Sequence, residues 1–173
     1  MTKQEYYWDG ENWLVVDKID NIIQYYLNGE IHRKDGPARI HYYKNGNISK
    51  EKYLINGNFH RKNGPAILWY HNNGNTKFEE YYIKGKNHRE NKPARLFYFD
   101  DGSIFRKEYW FNDKKHREDG PAAIEYLLNG KINHEKYYYN GIEFDLDKLP
   151  FELPIDSEEK EFMFKLKYGD KND

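Results

Sequence analysis

Four copies of one seven-residue phrase, set at equal intervals, constrain the fold of this chain more than any other feature. The second copy, residues 60–66, has the sequence HRKNGPA, and the others occupy 32–38, 88–94 and 116–122. Successive copies are 28 residues apart, since 60−32, 88−60 and 116−88 give the same value. A fixed period of this length is typical of repeat proteins, in which each unit stacks on the next.

Turn dipeptides recur between runs of β-branched and aromatic residues. Asn-Gly pairs and close relatives alternate at intervals of 17 and 11 residues, from 28/29 to 45/46 (45−28) and then to 56/57 (56−45). Asn-Gly between such runs favours a type I′ hairpin, because both central residues of that turn need positive φ. The pattern therefore predicts an all-β fold, an open antiparallel meander of roughly ten or more strands.

The second repeat shows the expected strands, and stacking the repeats shows which side chains they share. A strand begins at Pro65, a turn follows at 73–74, and a returning strand occupies 76–83. At the 28-residue offset the copies align small, aliphatic and tyrosine columns. These columns are Ala38, Ala66, Ala94 and Ala122; Ile40, Leu68, Leu96 and Ile124; Tyr42, Tyr70, Tyr98 and Tyr126; and Tyr25, Tyr53, Tyr81, Tyr109 and Tyr137. The column next to the last one must face the other way, because side chains alternate along a strand.

That neighbouring column is an aromatic stripe: Tyr26, Leu54, Tyr82, Trp110 and Tyr138. One interpretation is that the stripe packs within the curled sheet or under the C-terminal segment. The other is that it binds a helix or an extended peptide of a partner protein, since repeat proteins use their continuous surfaces in this way.

Departures from the repeat define both ends of the chain. Residues 1–29 contain strands and turns but lack the HRKNGPA-like phrase ahead of them, as expected for a divergent N-terminal capping repeat. Four repeats follow over 30–145. Residues 146–173 form a proline-bounded linker and a C-terminal tail. In the tail Asp156 and Glu159 match a capping box, which predicts a short capping helix over 157–168.

Composition disfavours several classes of function. Lys and Arg number 28 and Asp and Glu 29, a net charge of −1, whereas nucleic acid binding needs a basic surface. The lack of cysteine excludes disulfides and thiolate metal sites. No secretory signal core is present, and no stretch approaches the ~20 apolar residues of a membrane span. We therefore expect a soluble, intracellular, cytoplasmic protein with no cofactor.

The repeat resembles the MORN family in its longer variants. The resemblance lies in residues 51–60 (EKYLINGNFH), Gly64, and an aromatic strand that ends at 73–74, and it covers about 22–144. The unit is longer than usual, and an arginine follows the corner histidine where MORN repeats have glycine. The resemblance implies a twisted single-layer sheet that acts as a scaffold for proteins or lipid surfaces, without catalysis.

The repeated corner is a second candidate site. Its side chains are His32, Arg33, His60, Arg61, His88, Arg89, His116 and Arg117. Equivalent histidines lie ~10 Å or more apart, at least two strands, whereas two nitrogen ligands of one zinc ion lie ~3–3.5 Å apart. A shared metal is therefore excluded. We interpret the corner as structural, with an Asx-turn, a glycine and an arginine that clamps carbonyls or a carboxylate. The alternative is a row that faces an acidic partner or phosphate groups. Lys92 replaces the glycine in the third copy, which predicts a differently shaped loop.

Catalytic patterns are missing from the sequence. There is no nucleophile elbow and no glycine-rich phosphate loop, and the repeated carboxylates occur once per copy. The working hypothesis is a non-enzymatic scaffold that binds a protein on one sheet face. The alternatives are binding to a membrane surface or phosphoinositides through the Arg/His row, and self-assembly, including a homodimer, through unpaired sheet ends.

Overall fold

The computed structural model describes residues 5–145, which form 19 β-strands and no helix. The strands are β1 Glu5–Trp8, β2 Trp13–Ile19, β3 Ile22–Leu27, β4 Glu30–Ile31, β5 Arg39–Tyr42, β6 Ile48–Lys52, β7 Leu54–Ile55, β8 Asn58–Phe59, β9 Ile67–Tyr70, β10 Thr76–Glu80, β11 Tyr82–Ile83, β12 Lys86–Asn87, β13 Arg95–Tyr98, β14 Ile104–Glu108, β15 Trp110–Phe111, β16 Lys114–Lys115, β17 Ala123–Tyr126, β18 Ile132–Tyr139 and β19 Ile142–Phe144. The helix predicted over 157–168 lies outside the described residues.

Thirteen of the strands form one open antiparallel sheet in the order β1-β2-β3-β5-β6-β9-β10-β13-β14-β17-β18-β19, with β4 paired to β3. Three short hairpins lie beside it: β7–β8, β11–β12 and β15–β16. The most extensive strand contacts are between neighbours in this order and within the short hairpins. The prediction of an all-β, open, antiparallel meander is confirmed.

The alternating 17- and 11-residue intervals reflect two different turn types. At 28/29, 56/57, 84/85, 112/113 and 140/141 both central residues have positive φ, as type I′ requires. At 45/46 and its equivalents only the glycine does, with Gly46 at +87°. Tyr43 N–H donates to Asn47 C=O (2.7 Å) and Gly46 N–H to Tyr43 C=O (3.0 Å), which closes a three-residue loop that ends in a left-handed glycine. The prediction of type I′ is therefore wrong for this second series.

The returning strand predicted over 76–83 is interrupted at Tyr81. The Tyr81 N–H donates to Ala94 C=O (2.8 Å), and the Tyr81 C=O accepts from His88 N–H (3.1 Å). Tyr25, Tyr53 and Tyr109 make the same two bonds in their own copies. At Tyr53, Tyr81 and Tyr109 the chain thus leaves the main sheet and starts a small hairpin, whereas β3 continues through Tyr25. The outgoing strand also differs from prediction, because β9 begins at Ile67 rather than at Pro65.

The alanine column is the most deeply buried set of equivalent side chains. Ala38, Ala66, Ala94 and Ala122 are 0% exposed. The Ala66 N–H donates to Glu80 C=O (2.8 Å), and its C=O accepts from Tyr53 N–H (2.7 Å), so its backbone joins the strands on both sides. A longer side chain has no free volume here, which explains why the sequence keeps this column small.

Candidate functional surface

The sheet has two chemically distinct faces. On the tyrosine face, defined by Tyr53, Tyr81 and Tyr109, the Tyr81 hydroxyl donates to Glu79 (3.1 Å). On the stripe face, which carries the aromatic stripe, the Tyr82 hydroxyl donates to Glu80 (3.0 Å). Consecutive tyrosines thus bond carboxylates on opposite sides, as strand alternation requires.

The corner arginines lie on the tyrosine column. The guanidinium carbons of Arg61 and Arg89 are 3.8 and 3.7 Å from the ring centroids of Tyr53 and Tyr81. Arg33 and Arg117 stack in the same way, at 4.3 and 4.1 Å from Tyr25 and Tyr109. Each guanidinium in copies two to four also donates to the carbonyl of the proline four residues later, at 3.1–3.3 Å. The four corner guanidinium groups therefore make packing and hydrogen-bond contacts within the chain itself.

Glycine in the corner leaves space for the guanidinium. A Cβ added to Gly36 would lie 2.9 Å from Arg33 Cζ, and one added to Gly64 would lie 3.1 Å from Arg61 Cζ. In the third copy, where Lys92 replaces glycine, the loop instead places Asn91 at φ +52°, while the Arg89 stack is kept. The predicted change of loop shape is confirmed.

The corner histidines connect one repeat to the next. Nδ1 of His116 accepts the backbone N–H of Asn140, the turn residue 24 positions later, at 3.2 Å. Nδ1 of His32 lies 3.2 Å from the Asn56 backbone N and 2.7 Å from the Asn56 side-chain oxygen. His60 Nδ1 accepts Lys84 N–H at 3.4 Å. The third copy lacks this bond, and there the Asn87 N–H donates to Asp113 (2.7 Å). An accepting Nδ1 requires the neutral ring to carry its proton on Nε2.

Replacing Arg61 by lysine should lower the free energy of unfolding by about 1–2 kcal/mol, because lysine keeps the charge but loses the planar stack and the bond to Pro65. Urea denaturation followed by tryptophan fluorescence measures this loss. Lys62→Ala, an exposed position in the same corner, should change stability by less than about 0.5 kcal/mol. An Arg61→Lys protein as stable as the parent would contradict the structural role of the corner.

The N-terminal cap contributes to the first corner in a way that the repeat pattern does not indicate. Arg33 lies between the rings of Tyr7 (4.5 Å) and Tyr25 (4.3 Å), and Tyr7 OH also bonds Asp35. Tyr7 belongs to the divergent copy, so no column alignment identifies it. The nearby Asp9 caps its own turn by accepting the Glu11 and Asn12 backbone N–H groups.

The aromatic stripe is only partly open to solvent. Leu54 is buried, while Tyr26, Tyr82, Trp110 and Tyr138 are half-buried. Trp110 donates its Nε1–H to Glu108 (3.0 Å), and Arg95 lies 4.2 Å from the Trp110 ring centroid. Polar bonds thus fix the orientation of the rings, and the rings retain exposed surface for contact with another molecule.

Two buried carboxylates, Glu80 and Glu108, hold the stripe face together. Glu80 accepts from Arg95 Nε (2.6 Å) and Asn87 Nδ2 (3.0 Å). Glu108 bonds Arg106, and Lys115 Nζ lies 3.3 Å away. Burial alone would raise the pKa of Glu108, but the bond from Trp110 and the adjacent cations outweigh it and hold this pKa below its usual value. Sequence reasoning missed this pair, because the equivalent residues Lys52 (80−28) and Lys136 (108+28) are cations.

A cleft of about 620 Å³ opens beside Trp110, between the third and fourth corners. Its walls include Trp110, Phe111, His116 and Tyr139, with Arg89 and Arg117 at the corners. In this cleft a member of the aromatic stripe, Trp110, lies beside residues of the repeated corner. The cleft has room for a side chain of a bound molecule.

Comparison with known proteins identifies no relative. No family model matches the chain, and no curated protein or solved structure matches it either. The resemblance to MORN repeats therefore stays a prediction. Within residues 5–145 no three His, Asp or Glu side chains are grouped to hold a metal ion, and no helix has the length and apolarity to cross a membrane.

Proposed function

We propose that this chain is a non-enzymatic scaffold that binds another protein through the stripe face of its sheet. The observation that supports the proposal is a row of four half-buried aromatic rings on one face, Tyr26, Tyr82, Trp110 and Tyr138, each of which keeps some surface exposed. Large aromatic side chains held in a fixed orientation are among those that contribute most to the binding free energy of protein interfaces.

The cleft beside Trp110 supports the same assignment. Hot spots of interfaces lie in pockets that exclude water, and a recess of about 620 Å³ next to a half-buried tryptophan suits one anchoring side chain of a partner. The packing of the corner arginines favours protein binding over phosphate binding, because their four guanidinium groups already stack on tyrosines of the same chain.

Trp110→Ala should reduce partner capture about 30-fold, the effect of losing one hot-spot residue of about 2 kcal/mol. The tagged full-length chain is recovered from cells that produce it, and bound proteins are quantified by mass spectrometry. Tyr82→Ala should act in the same direction. Tyr126→Ala, which removes a half-buried tyrosine from the opposite face, is the matched control. Circular dichroism verifies that each variant folds. Equal recovery with Trp110→Ala, Tyr82→Ala and the parent would refute the proposal.

A further inference from the structure

Four basic side chains meet on the stripe face of the first full repeat. Arg39 and His41 on β5 are the direct cross-strand partners of Lys52 and Lys50 on β6. Side chains in such register share one face. We call this two-by-two group of Arg39, His41, Lys50 and Lys52 the basic patch.

No carboxylate neutralises the basic patch in the described part of the chain. On the same cross-strand rows the nearest acids are Asp17, beyond Gln24, and Glu80, beyond Ile67. Each is two strands away, ~10 Å, and Glu80 is bonded to Arg95. Within the patch, Arg39 Nε and His41 Nε2 are buried without a hydrogen-bond partner. Burial and the neighbouring cations lower the pKa of Lys52 and of His41.

The other repeats do not share this arrangement. At the positions of Arg39 and Lys52 the third repeat has Arg95 and Glu108, an oppositely charged pair, and the second has Ile67 and Glu80. Like charges directly opposite each other destabilise a sheet. The first repeat therefore carries an electrostatic cost at this pair of positions that the second and third repeats lack.

Aromatic side chains border the patch. Lys50 Nζ lies 4.4 Å from the Trp69 ring centroid, and Trp69 is 37% exposed. Lys52 Nζ lies 6.0 Å from the ring centroid of Phe59, which is half-buried. The ammonium groups thus rest on rings, which position them on the face without neutralising them.

We propose that the basic patch binds an extended acidic segment of the partner protein, one with carboxylates on alternate residues. Side chains on one side of an extended chain recur every ~6.6–6.8 Å, the same spacing that separates Arg39 from His41 and Lys50 from Lys52 along their strands. A segment aligned with β6 would therefore place successive carboxylates over Lys50 and Lys52, beside Arg39 and the imidazole of His41, with an apolar side chain against Trp69. The inference rests on the proposed function, since it assigns the chemistry of one part of the partner.

The test uses purified full-length protein and a fluorescein-labelled octapeptide of alternating Glu and Ser. Glu158, Glu159 and Glu161 are changed to Gln throughout, so that the acidic run of the chain itself does not compete. Anisotropy should show binding that weakens steeply with salt, and an octapeptide of alternating Gln and Ser should not bind. Lys52→Glu should weaken binding about tenfold or more, the loss of one charge-assisted hydrogen bond. Lys107→Glu, on the opposite face, is the control and should leave the affinity within about threefold.

A melting-temperature measurement distinguishes a patch that binds a ligand from a charge cluster that the fold merely tolerates. Lys52→Glu restores the charge pattern of Arg95 and Glu108, so its melting temperature should rise by about 2–4 °C while its affinity falls. Equal affinity of Lys52→Glu and the parent, or equal binding of the Gln peptide, would overturn the inference. So would patch-dependent binding to phosphatidylcholine vesicles with one fifth phosphatidylserine in the absence of peptide binding. None of these outcomes affects the Trp110→Ala experiment. A refutation of acidic-segment binding by the basic patch is therefore distinguishable from a refutation of partner binding by the aromatic stripe.

Discussion

Replacing Phe78 by alanine should lower the free energy of unfolding by about 3–4 kcal/mol. Phe78 is 9% exposed, and its ring lies between Trp69 (5.4 Å between centroids) and Phe97 (4.7 Å). The three side chains lie on neighbouring strands in direct register. Removing the ring loses its contacts with Trp69 and Phe97 and exposes their facing surfaces to water, and strands held by backbone hydrogen bonds cannot close the gap.

Urea denaturation followed by tryptophan fluorescence measures the effect, and Phe105→Ala is the matched control. Phe105 is 39% exposed and contacts Phe99 at the loop edge of the sheet, so its loss should cost about 1 kcal/mol or less. Equal losses for the two variants would contradict the assignment of Phe78 to the core.

Glu108→Gln should destabilise the protein by about 2–3 kcal/mol at pH 7 and much less at pH 3. Glu108 is 4% exposed and bonds Trp110 and Arg106, with Lys115 and Arg95 close by. The variant removes the carboxylate that Lys115 faces and one of two carboxylates beside Arg95 and Arg106, which keep Glu80 and Glu125. The loss should exceed that of any exposed ion pair in the described chain.

The pH dependence follows from the lowered pKa of Glu108. Folding holds this pKa below its ordinary value of 4.5, so the carboxylate stabilises the fold fully above about pH 4.5. That contribution is lost as the pH falls through the pKa of the folded state, and the parent and variant should then converge. Glu5→Gln, at a half-exposed pair with Lys18, should change stability by less than about 1 kcal/mol at either pH. A stability gap that stays constant from pH 7 to pH 3 would contradict this account.

The main sheet was predictable because its signals are local. Alternation of side chains and the dihedral preferences of Gly and Asn act within a few residues, and the 28-residue period repeats them. The break at Tyr81 was not predictable in this way. It depends on hydrogen bonds to Ala94 and His88, and no local propensity of a tyrosine between Glu80 and Tyr82 indicates where its N–H finds a partner.

The candidate surface was predictable in position but not in electrostatics. The aromatic stripe appears in the sequence as a column, and the structure places its members on one face. Which charges surround each ring is set by register between strands far apart in sequence. Lys52 lies opposite Arg39, whereas Glu108 in the equivalent position lies opposite Arg95. The column alignment shows that Lys52 and Glu108 occupy equivalent positions, but it does not show which side chains lie opposite them on the neighbouring strands.

The sequence by itself determined the repeat, the open meander and the small alanine column, because each follows from spacing, turn preference and side-chain size. Only the tertiary structure decided the two turn types, the stacking of each corner arginine on a tyrosine and the unpaired charge of the basic patch. These depend on distances between groups that the chain brings together across the sheet, and a one-dimensional pattern does not contain those distances.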